Sequence, residues 1–134
     1  MAQLSAEDRL AIGEVLAAYC QHLDLGEWDA FCALFTDDAR LDFGPVMGVH
    51  EGRAGIRAFT ETMRALGLFM RHYVANVVVT GDGTHARARS YVLALTGQPG
   101  EQSQTTGRYE DELVKVNGRW LLRVRRALLD VPQA

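Results

Sequence analysis

The sequence predicts an α+β fold in which helices lie on one face of a curved antiparallel sheet. Helical patterns fill the first half of the chain, and long alternating runs of apolar and polar residues fill the second half. The pair Asn117-Gly118 separates the last two of these runs. Because Asn and Gly both tolerate positive φ, this pair is the strongest hairpin signal in the chain.

Length and charge limit the classes of protein that fit. The 134 residues, 48% hydrophobic and 23% charged, can build one packed core but not two, so we expect a single domain over residues 1–134. The net charge of −3 offers no basic surface for nucleic acid. No apolar run approaches the roughly 20 residues that cross a bilayer, and the N-terminus lacks a signal-peptide pattern. We therefore expect a soluble, cytoplasmic protein that binds neither nucleic acid nor membrane.

Three helices are expected before the main strands. Ser5 and Asp8 form a capping-box pattern that begins the first helix, and Gly26 ends it. Apolar side chains recur at helical spacing in two further segments, and Gly67 ends the last of them. The predicted helices span residues 5–25, 27–35 and 53–67.

Five strands are expected, one before the third helix and four after it. Each predicted strand is an alternating run bounded by turn residues, such as Gly81-Asp82-Gly83 and Asn117-Gly118. The predicted strands span residues 39–43, 69–80, 84–96, 104–116 and 119–130.

Metal and cofactor sites have characteristic spacings that this chain lacks. No two His or Cys residues stand at ligand spacing, and the acidic run Glu110-Asp111-Glu112 alternates across a predicted strand. The sequence also has neither a glycine-rich phosphate loop before a helix nor a nucleophile elbow. We therefore expect no metal site and a chemistry that needs no cofactor.

Asp24 and His72 are the leading candidates for catalysis. Asp24 ends the amphipathic first helix, and His72 opens an apolar run in the strand that follows Gly67. If the two side chains are in contact, the Asp24 carboxylate would accept the Nδ1–H of the His72 imidazole and leave Nε2 as a base near neutral pH. The alternative is structural, because an Asp at a helix end is often only a cap and a lone His is often only a satisfied polar group.

Aromatic side chains and one arginine are candidates for contact with a substrate. Tyr19 lies on the apolar stripe of the first helix, where an aromatic either packs in the core or offers its hydroxyl. Alternation places Arg123 and Arg125 on one face of the last strand and Arg126 on the other, without deciding which face is internal. The remaining candidates for a mostly apolar binding site are Trp28, Phe43, Phe59 and Phe69.

Several motifs resemble those of SnoaL-like proteins in the nuclear transport factor 2-like superfamily. The resemblance covers nearly the whole chain, and it is carried by Leu34-Phe35-Thr36-Asp37-Asp38-Ala39, Gly52-x-x-x-Ile56-x-x-Phe59, Gly107-x-Tyr109-x-Asp111-x-Leu113 and Asn117-Gly118-x-Trp120. It implies a cystatin-like α+β cone, in which three helices close a strongly bent, antiparallel or mixed sheet over a deep apolar pocket. It says less about the reaction, because this fold hosts many chemistries.

The candidate site resembles that of one branch of the superfamily: scytalone dehydratase, bile acid 7α-dehydratase and hexachlorocyclohexane dehydrochlorinase. In that branch an Asp at the end of the first helix pairs with a His on the strand after the third helix. Asp24 and His72 fall on those two positions. Tyr19 and Arg125 match pocket residues of some of these enzymes.

The resemblance to that branch is incomplete. Scytalone dehydratase has a tyrosine where this chain has Phe43, and a second histidine near the position of Ser90 or Tyr91. Ketosteroid isomerase, a more distant relative, would need its carboxylate base at Phe43. Isomerisation by that route is therefore disfavoured.

These features favour a cofactor-free lyase of the dehydratase type, ahead of an isomerase or cyclase. Its substrate would be a small hydrophobic cyclic molecule, steroid-like or polyketide-like. Two other interpretations stay open. One is a non-catalytic binding or accessory protein, and the other is a partner that resembles the β-subunit of a ring-hydroxylating dioxygenase.

The predicted sheet also places apolar residues on a face that the helices leave uncovered. A patch of this kind is typical of a protein–protein interface. We therefore expect a homo-oligomer, a dimer or a trimer, that packs through the sheet face. The residues expected on this face are Val77, Val79, Leu93, Leu95, Leu122 and Val124.

Overall fold

The computed structural model describes residues 3–131. Its helices are α1 (Ala6–Asp24), α2 (Trp28–Cys32), α3 (Gly44–Met47) and α4 (Gly52–Leu66). Its strands are β1 (Phe35–Asp42), β2 (Val49–Glu51), β3 (Phe69–Gly81), β4 (His85–Gln98), β5 (Glu101–Val116) and β6 (Arg119–Leu129).

All six strands belong to one curved sheet, in the order β2-β1-β6-β5-β4-β3. β1 runs parallel to β6, and the other neighbouring pairs are antiparallel. α1 packs on β3 and β6, and α4 packs on β1 and β2. The predicted α+β class with a curved, mixed sheet is therefore confirmed. None of the helices in residues 3–131 combines the length and apolar character that a membrane span requires.

Both ends of α1 follow from local chemistry. The Ser5 hydroxyl accepts the backbone N–H of Asp8, and the Asp8 carboxylate accepts that of Ser5, which completes the predicted capping box. The Asp8 carboxylate also accepts the indole N–H of Trp120 at 2.9 Å, which ties the helix start to β6. At the other end Gly26 has φ +69°, a left-handed conformation that glycine adopts without strain.

The segment between Cys32 and Gly52 differs from the prediction. The second helix ends at Cys32 rather than near Phe35, because Phe35 already pairs with Leu122 of β6. The first strand therefore begins four residues earlier than expected. α3 and β2 were not predicted, because they are too short for a periodic pattern to appear.

Two β-bulges change which residues face the helices. In β3 the register shifts between Ala75 and Val78, where Asn76 adopts φ +56°, and the alternation of faces reverses. Val79 therefore packs on the core, whereas Val77 and Val78 are exposed. The prediction that Val79 lies on the outer face is wrong for this reason.

The second bulge lies where β5 pairs with β6. Leu113 pairs with Leu122 and Glu112 with Val124, so Arg123 is the extra residue. Leu122 is a core residue, which corrects its expected place on the outer face. Arg125 is fully buried while Arg123 is exposed, so the prediction that these two arginines share a face is also wrong.

Candidate functional site

Asp24 and His72 are in direct contact. The Asp24 Oδ1 atom lies 2.5 Å from the Nδ1 atom of His72, and Asp24 Oδ2 accepts the backbone N–H of His72 at 2.7 Å. One carboxylate thus binds both the side chain and the main chain of a single residue. Their side chains are 7% and 12% exposed, respectively, so the pair is shielded from water but not sealed off.

The fold explains why this contact forms. β3 is an edge strand, so part of its backbone N–H groups have no neighbouring strand to accept them. Asp24 is the last residue of α1, where the helix dipole disfavours a negative charge and donors are needed to stabilise it. The carboxylate and the edge of the strand therefore satisfy each other.

The contact determines which nitrogen of His72 is available. A carboxylate on Nδ1 favours the tautomer that carries its proton there, so Nε2 is left with a free lone pair. Within the described residues Nε2 has no hydrogen-bond partner. An imidazole held in this way can accept a proton at Nε2, and the adjacent carboxylate then stabilises the resulting cation.

Arg125 forms a second acid–base pair deeper in the domain. Its Nε and Nη2 atoms donate to the two carboxylate oxygens of Asp111 at 2.8 and 2.9 Å, and both side chains are fully buried. Burial alone would lower the pKa of Arg125, but the Asp111 carboxylate raises it above its ordinary value. The guanidinium is therefore a permanent cation.

Two tyrosine rings pack against this guanidinium. Its Cζ atom lies 4.2 Å from the ring centroid of Tyr19 and 3.8 Å from that of Tyr109. Burial raises the pKa of both tyrosine hydroxyls, so both stay protonated at neutral pH. Ser90 faces the same interior, because it pairs with Tyr109 across β4 and β5.

We call Tyr19, Ser90, Tyr109, Asp111 and Arg125 the buried polar cluster. Three of its atoms have no hydrogen-bond partner among the described residues 3–131: the Tyr19 hydroxyl, the Ser90 hydroxyl and Arg125 Nη1. Almost every buried polar atom in a folded protein has a partner, so three such atoms in one cluster are unusual.

The aromatic candidates do not all lie together. Phe43 stacks on Phe59 with ring centroids 5.1 Å apart, and Phe59 contacts Phe31, which in turn contacts Tyr19. These four rings form a continuous aromatic row that ends at Arg125. Two other candidates lie outside it, since Trp28 packs beside Gly26 and Phe69 lies beneath the Arg71 guanidinium.

Side chains occupy the interior where a deep pocket was expected. Tyr19, Phe31 and Phe59 are fully buried and pack against one another. Five surface cavities of about 320 to 630 Å³ lie elsewhere, and none of these five is lined by Asp24, His72, Tyr19 or Arg125. None of these five cavities therefore leads to the Asp24–His72 pair or to the aromatic row.

The sequence analysis missed three members of the buried polar cluster. Ser90 entered it only as a departure from a resemblance, and Asp111 only as part of an acidic run. The sequence does indicate a buried carboxylate here, because the two-residue spacing of Gly107-x-Tyr109-x-Asp111-x-Leu113 places Asp111 on the same strand face as apolar residues. Gly107, Tyr109, Asp111 and Leu113 are all buried, so this motif is the inner face of β5.

Comparison with known proteins supports the resemblance seen in the sequence. The SnoaL-like domain family matches residues 4–126 of this chain. A Nostoc punctiforme protein of unknown function with a cystatin-like fold superposes with a TM-score of 0.85, 25% identity and coverage of 97% of this chain and 96% of that chain. A search among curated proteins found no match.

Two solved structures from Novosphingobium aromaticivorans are also similar. A "putative scytalone dehydratase" has a TM-score of 0.82 and 26% identity, with 93% of this chain and 85% of that chain covered. A "putative aromatic ring hydroxylase" has a TM-score of 0.82 and 30% identity, with 97% and 94% covered. The predicted resemblance to SnoaL-like, cystatin-like proteins is thereby confirmed.

Proposed function

Because this chain belongs to the SnoaL-like domain family, we propose that it is a cofactor-independent acid/base enzyme of the dehydratase type. Its substrate would be a small hydrophobic cyclic molecule, and Asp24 and His72 would be its catalytic residues. The single observation that carries this proposal is the Asp24 carboxylate, which holds both Nδ1 and the backbone N–H of His72. That arrangement orients an imidazole and stabilises its cation.

The proposed reaction is an elimination. His72 Nε2 removes a proton from a substrate carbon, and the electron pair of that C–H bond becomes the new C=C bond. The adjacent C–O bond breaks, and the leaving hydroxyl takes the proton back from Nε2 and departs as water. Asp24 stays ionised throughout and stabilises the imidazolium between the two proton transfers.

The other site residues would bind the substrate. In this proposal Phe43 and Phe59 of the aromatic row provide apolar contact, and so do Trp28 and Phe69, which lie outside that row. Tyr19 and Arg125 provide donors. Because the aromatic row fills the interior, we propose that these rings move apart as the substrate enters. The 26% identity to a "putative scytalone dehydratase" favours elimination over isomerisation or cyclisation by the same pair.

The test is a screen of cyclic alcohols, hydroxysteroids and polyketide-like phenols, followed by His72→Gln and Asp24→Asn on any compound that reacts. Loss of the proton transfer should lower turnover about 10²- to 10⁴-fold in His72→Gln, with KM nearly unchanged. Asp24→Asn should also lower turnover, because an amide cannot stabilise the imidazolium.

His22→Gln is the matched control. His22 also meets a carboxylate through Nδ1, that of Glu27 at 2.9 Å, but this pair is at the surface. Its loss should leave turnover unchanged. Wild-type turnover in both His72→Gln and Asp24→Asn would overturn the proposed mechanism.

A second candidate is an accessory role beside a ring-hydroxylating enzyme, without chemistry of its own. The 30% identity to a "putative aromatic ring hydroxylase" links this chain to ring hydroxylation, and the accessory role is our proposal for that link. The same screen separates the two candidates. Compounds that bind and are not converted would favour the accessory or binding role, whereas turnover that depends on His72 would exclude it.

We further propose that the protein forms a homodimer or homotrimer through the outer face of its sheet. Tyr73, Val77, Val78 and Tyr91 are exposed there, which is more apolar surface than an isolated domain usually presents to water. Light scattering at micromolar concentration should give a multiple of the chain mass, and Tyr91→Glu should lower it. A monomer mass for the unaltered chain would contradict this assembly.

A further inference from the structure

We infer that residues 44–51, which include α3 and β2, form a flap that opens to admit the ligand to the aromatic row. This inference deepens the proposed function, on which it rests only for the identity of the ligand as the substrate. It assigns Gly44 and Gly52 as the hinges of the flap. It also assigns His50 as the side chain that holds the flap closed.

The first argument is how little holds the flap on the domain. β2 is three residues long and lies at the edge of the sheet, where its neighbour is β1. Within residues 3–131 no side chain of α3 is buried, and Val46 and Val49 are exposed apolar residues. Segments with few buried apolar contacts open locally at a low cost in free energy.

The second argument is the glycine at each end of the flap. Gly44 has φ +66° and Gly52 has φ +70°, in the left-handed region that other residues enter only with strain. A Cβ on Gly44 would meet no described atom within 4 Å, and one on Gly52 would meet the Asp37 carbonyl oxygen at an ordinary 3.8 Å. Glycine is therefore needed at these positions for conformational freedom and not for close packing. Residues of this kind can absorb the φ and ψ changes of a hinge.

The third argument is that the flap carries hydrogen bonds of its own. The Gly48 N–H donates to the Gly44 carbonyl at 2.8 Å. The His50 ring contacts the Met47 carbonyl at 3.0 Å through Nε2, which must carry the proton because a carbonyl oxygen only accepts. Both bonds lie inside the flap. It can therefore move as a unit when β2 separates from β1.

The fourth argument is what the flap covers. The His50 ring packs on Phe59 and Phe43, with centroid distances of 5.1 and 6.2 Å. These two phenylalanines form the end of the aromatic row away from Arg125, and Phe59 is only 1% exposed. None of the five surface cavities reaches this end of the row. An open flap would uncover it.

Gly55 of α4 allows His50 to pack this closely. A Cβ on Gly55 would lie 3.1 Å from the His50 carbonyl carbon, closer than side chains normally approach a backbone. Gly55→Ala should therefore displace His50 and favour the open flap, although alanine suits the helix better than glycine does. Gly13→Ala is the matched control, because a Cβ on this α1 glycine would meet no described atom within 4 Å.

A disulfide can lock the flap on β1. Asp42 and Val49 are paired across β1 and β2, next to the hydrogen bond from the Phe43 N–H to the Gly48 carbonyl. At such a position, between hydrogen-bonded pairs, the two Cα atoms lie about 4.5 Å apart, which a disulfide can span. The oxidised and reduced forms of Asp42→Cys/Val49→Cys then differ in the lock alone. The unaltered chain, oxidised in the same way, controls for the two native cysteines.

The test follows the binding of N-phenyl-1-naphthylamine, an uncharged aromatic amine that fluoresces in apolar surroundings, by stopped-flow mixing with the full chain. Oxidation of Asp42→Cys/Val49→Cys should slow association and dissociation alike by at least about 10-fold, and reduction should restore both rates. Kd should hardly change, because a lock on the flap alters how often the site opens and not the contacts of the closed site. Gly55→Ala should speed both rates about 5-fold, and Gly13→Ala should change neither.

Equal rates in the oxidised and reduced forms would overturn the flap, and so would equal rates in Gly55→Ala and Gly13→Ala. Failure of the probe to bind any of these proteins would overturn it as well, because a flap that admits no ligand has no such role. The rates do not depend on turnover, and the same lock should slow them in His72→Gln. Lock-dependent binding without turnover of any screened compound would therefore refute the proposed reaction and leave the flap intact.

Discussion

Two acid–base pairs in this domain each join an aspartate to a nitrogen base, and they differ in burial and in hydrogen-bond geometry. At the end of α1, Asp24 meets an imidazole that keeps one nitrogen without a partner among residues 3–131. In the middle of the sheet, Asp111 meets a guanidinium through two parallel hydrogen bonds, with both side chains fully buried. One pair lies at the edge of the sheet and the other between β5 and β6.

The difference shows how burial in the interior or exposure at the sheet edge limits what an acid–base pair can do. Loss of either charge in the fully buried, bidentate Asp111–Arg125 ion pair would leave the other charge uncompensated. Both residues of this pair therefore stay charged. The Asp24–His72 pair includes an imidazole whose Nε2 keeps a free lone pair, and its side chains are not sealed from solvent. We therefore propose proton transfer for the edge pair and binding for the interior pair.

The largest effect on stability should come from breaking the interior pair. Asp111→Asn leaves the Arg125 guanidinium buried without a counter-charge, which should lower the free energy of unfolding by about 3–5 kcal/mol. Urea unfolding measures this loss. Glu110→Gln is the matched control, because Glu110 pairs with Arg126 across the same two strands at the surface, and it should cost less than about 1 kcal/mol. Equal losses of unfolding free energy in Asp111→Asn and Glu110→Gln would contradict the distinction between the buried and the exposed ion pair.

A smaller loss is expected at the edge pair. In Asp24→Asn a single carbonyl replaces two oxygens that accept two N–H groups of His72. We expect the free energy of unfolding to fall by about 1.5–3 kcal/mol, the range for a hydrogen bond to a charged group. Glu27→Gln, at the exposed pair with His22, should change it by less than about 1 kcal/mol. A loss in Asp24→Asn no larger than in Glu27→Gln would argue that Asp24 holds His72 only weakly.

Asp8 extends the comparison to a third carboxylate. Hydrogen bonds from the Trp120 indole and the Lys115 ammonium lower its pKa from 3.8 to about 2. The charged form therefore stabilises the fold fully above about pH 4, and this contribution is lost as the pH falls toward 2. Asp8→Asn should be less stable than the unaltered chain at neutral pH, and the two should converge in acid unfolding experiments near pH 2. Glu61→Gln, at an exposed position, should show no such convergence.

The candidate pair could be predicted from sequence because each member lies where a local pattern changes. Asp24 is followed closely by Gly26, and His72 follows Gly67 at the start of an apolar run. Those boundary signals are local, and the structure has element boundaries close to both of them. The contact itself joins residues 48 apart, and a resemblance to known proteins was needed to expect it.

The inner face of the sheet was less predictable, because two β-bulges reverse the alternation on which the prediction depended. Asn76 reverses it in β3 and Arg123 in β6, which moved Val79 and Leu122 inward. A bulge depends on pairing with the neighbouring strand, so the two-residue alternation of a single sequence cannot locate it. The buried polar cluster is assembled across this face from α1, β4, β5 and β6. Ser90, Tyr109 and Asp111 lie in strands whose alternation no bulge interrupts, and the cluster was missed as a unit because strand pairing, which the sequence does not state, brings its members together.

The most direct test of the account is the tautomer of His72, read from the ¹⁵N chemical shifts of its ring at a pH where the imidazole is neutral. We expect the proton on Nδ1 and an unprotonated Nε2. We also expect loss of this preference in Asp24→Asn, while His22 gives the same spectrum in both proteins. A neutral His72 with its proton on Nε2, or a tautomer that Asp24→Asn leaves unchanged, would contradict the central claim that Asp24 prepares His72 as a base.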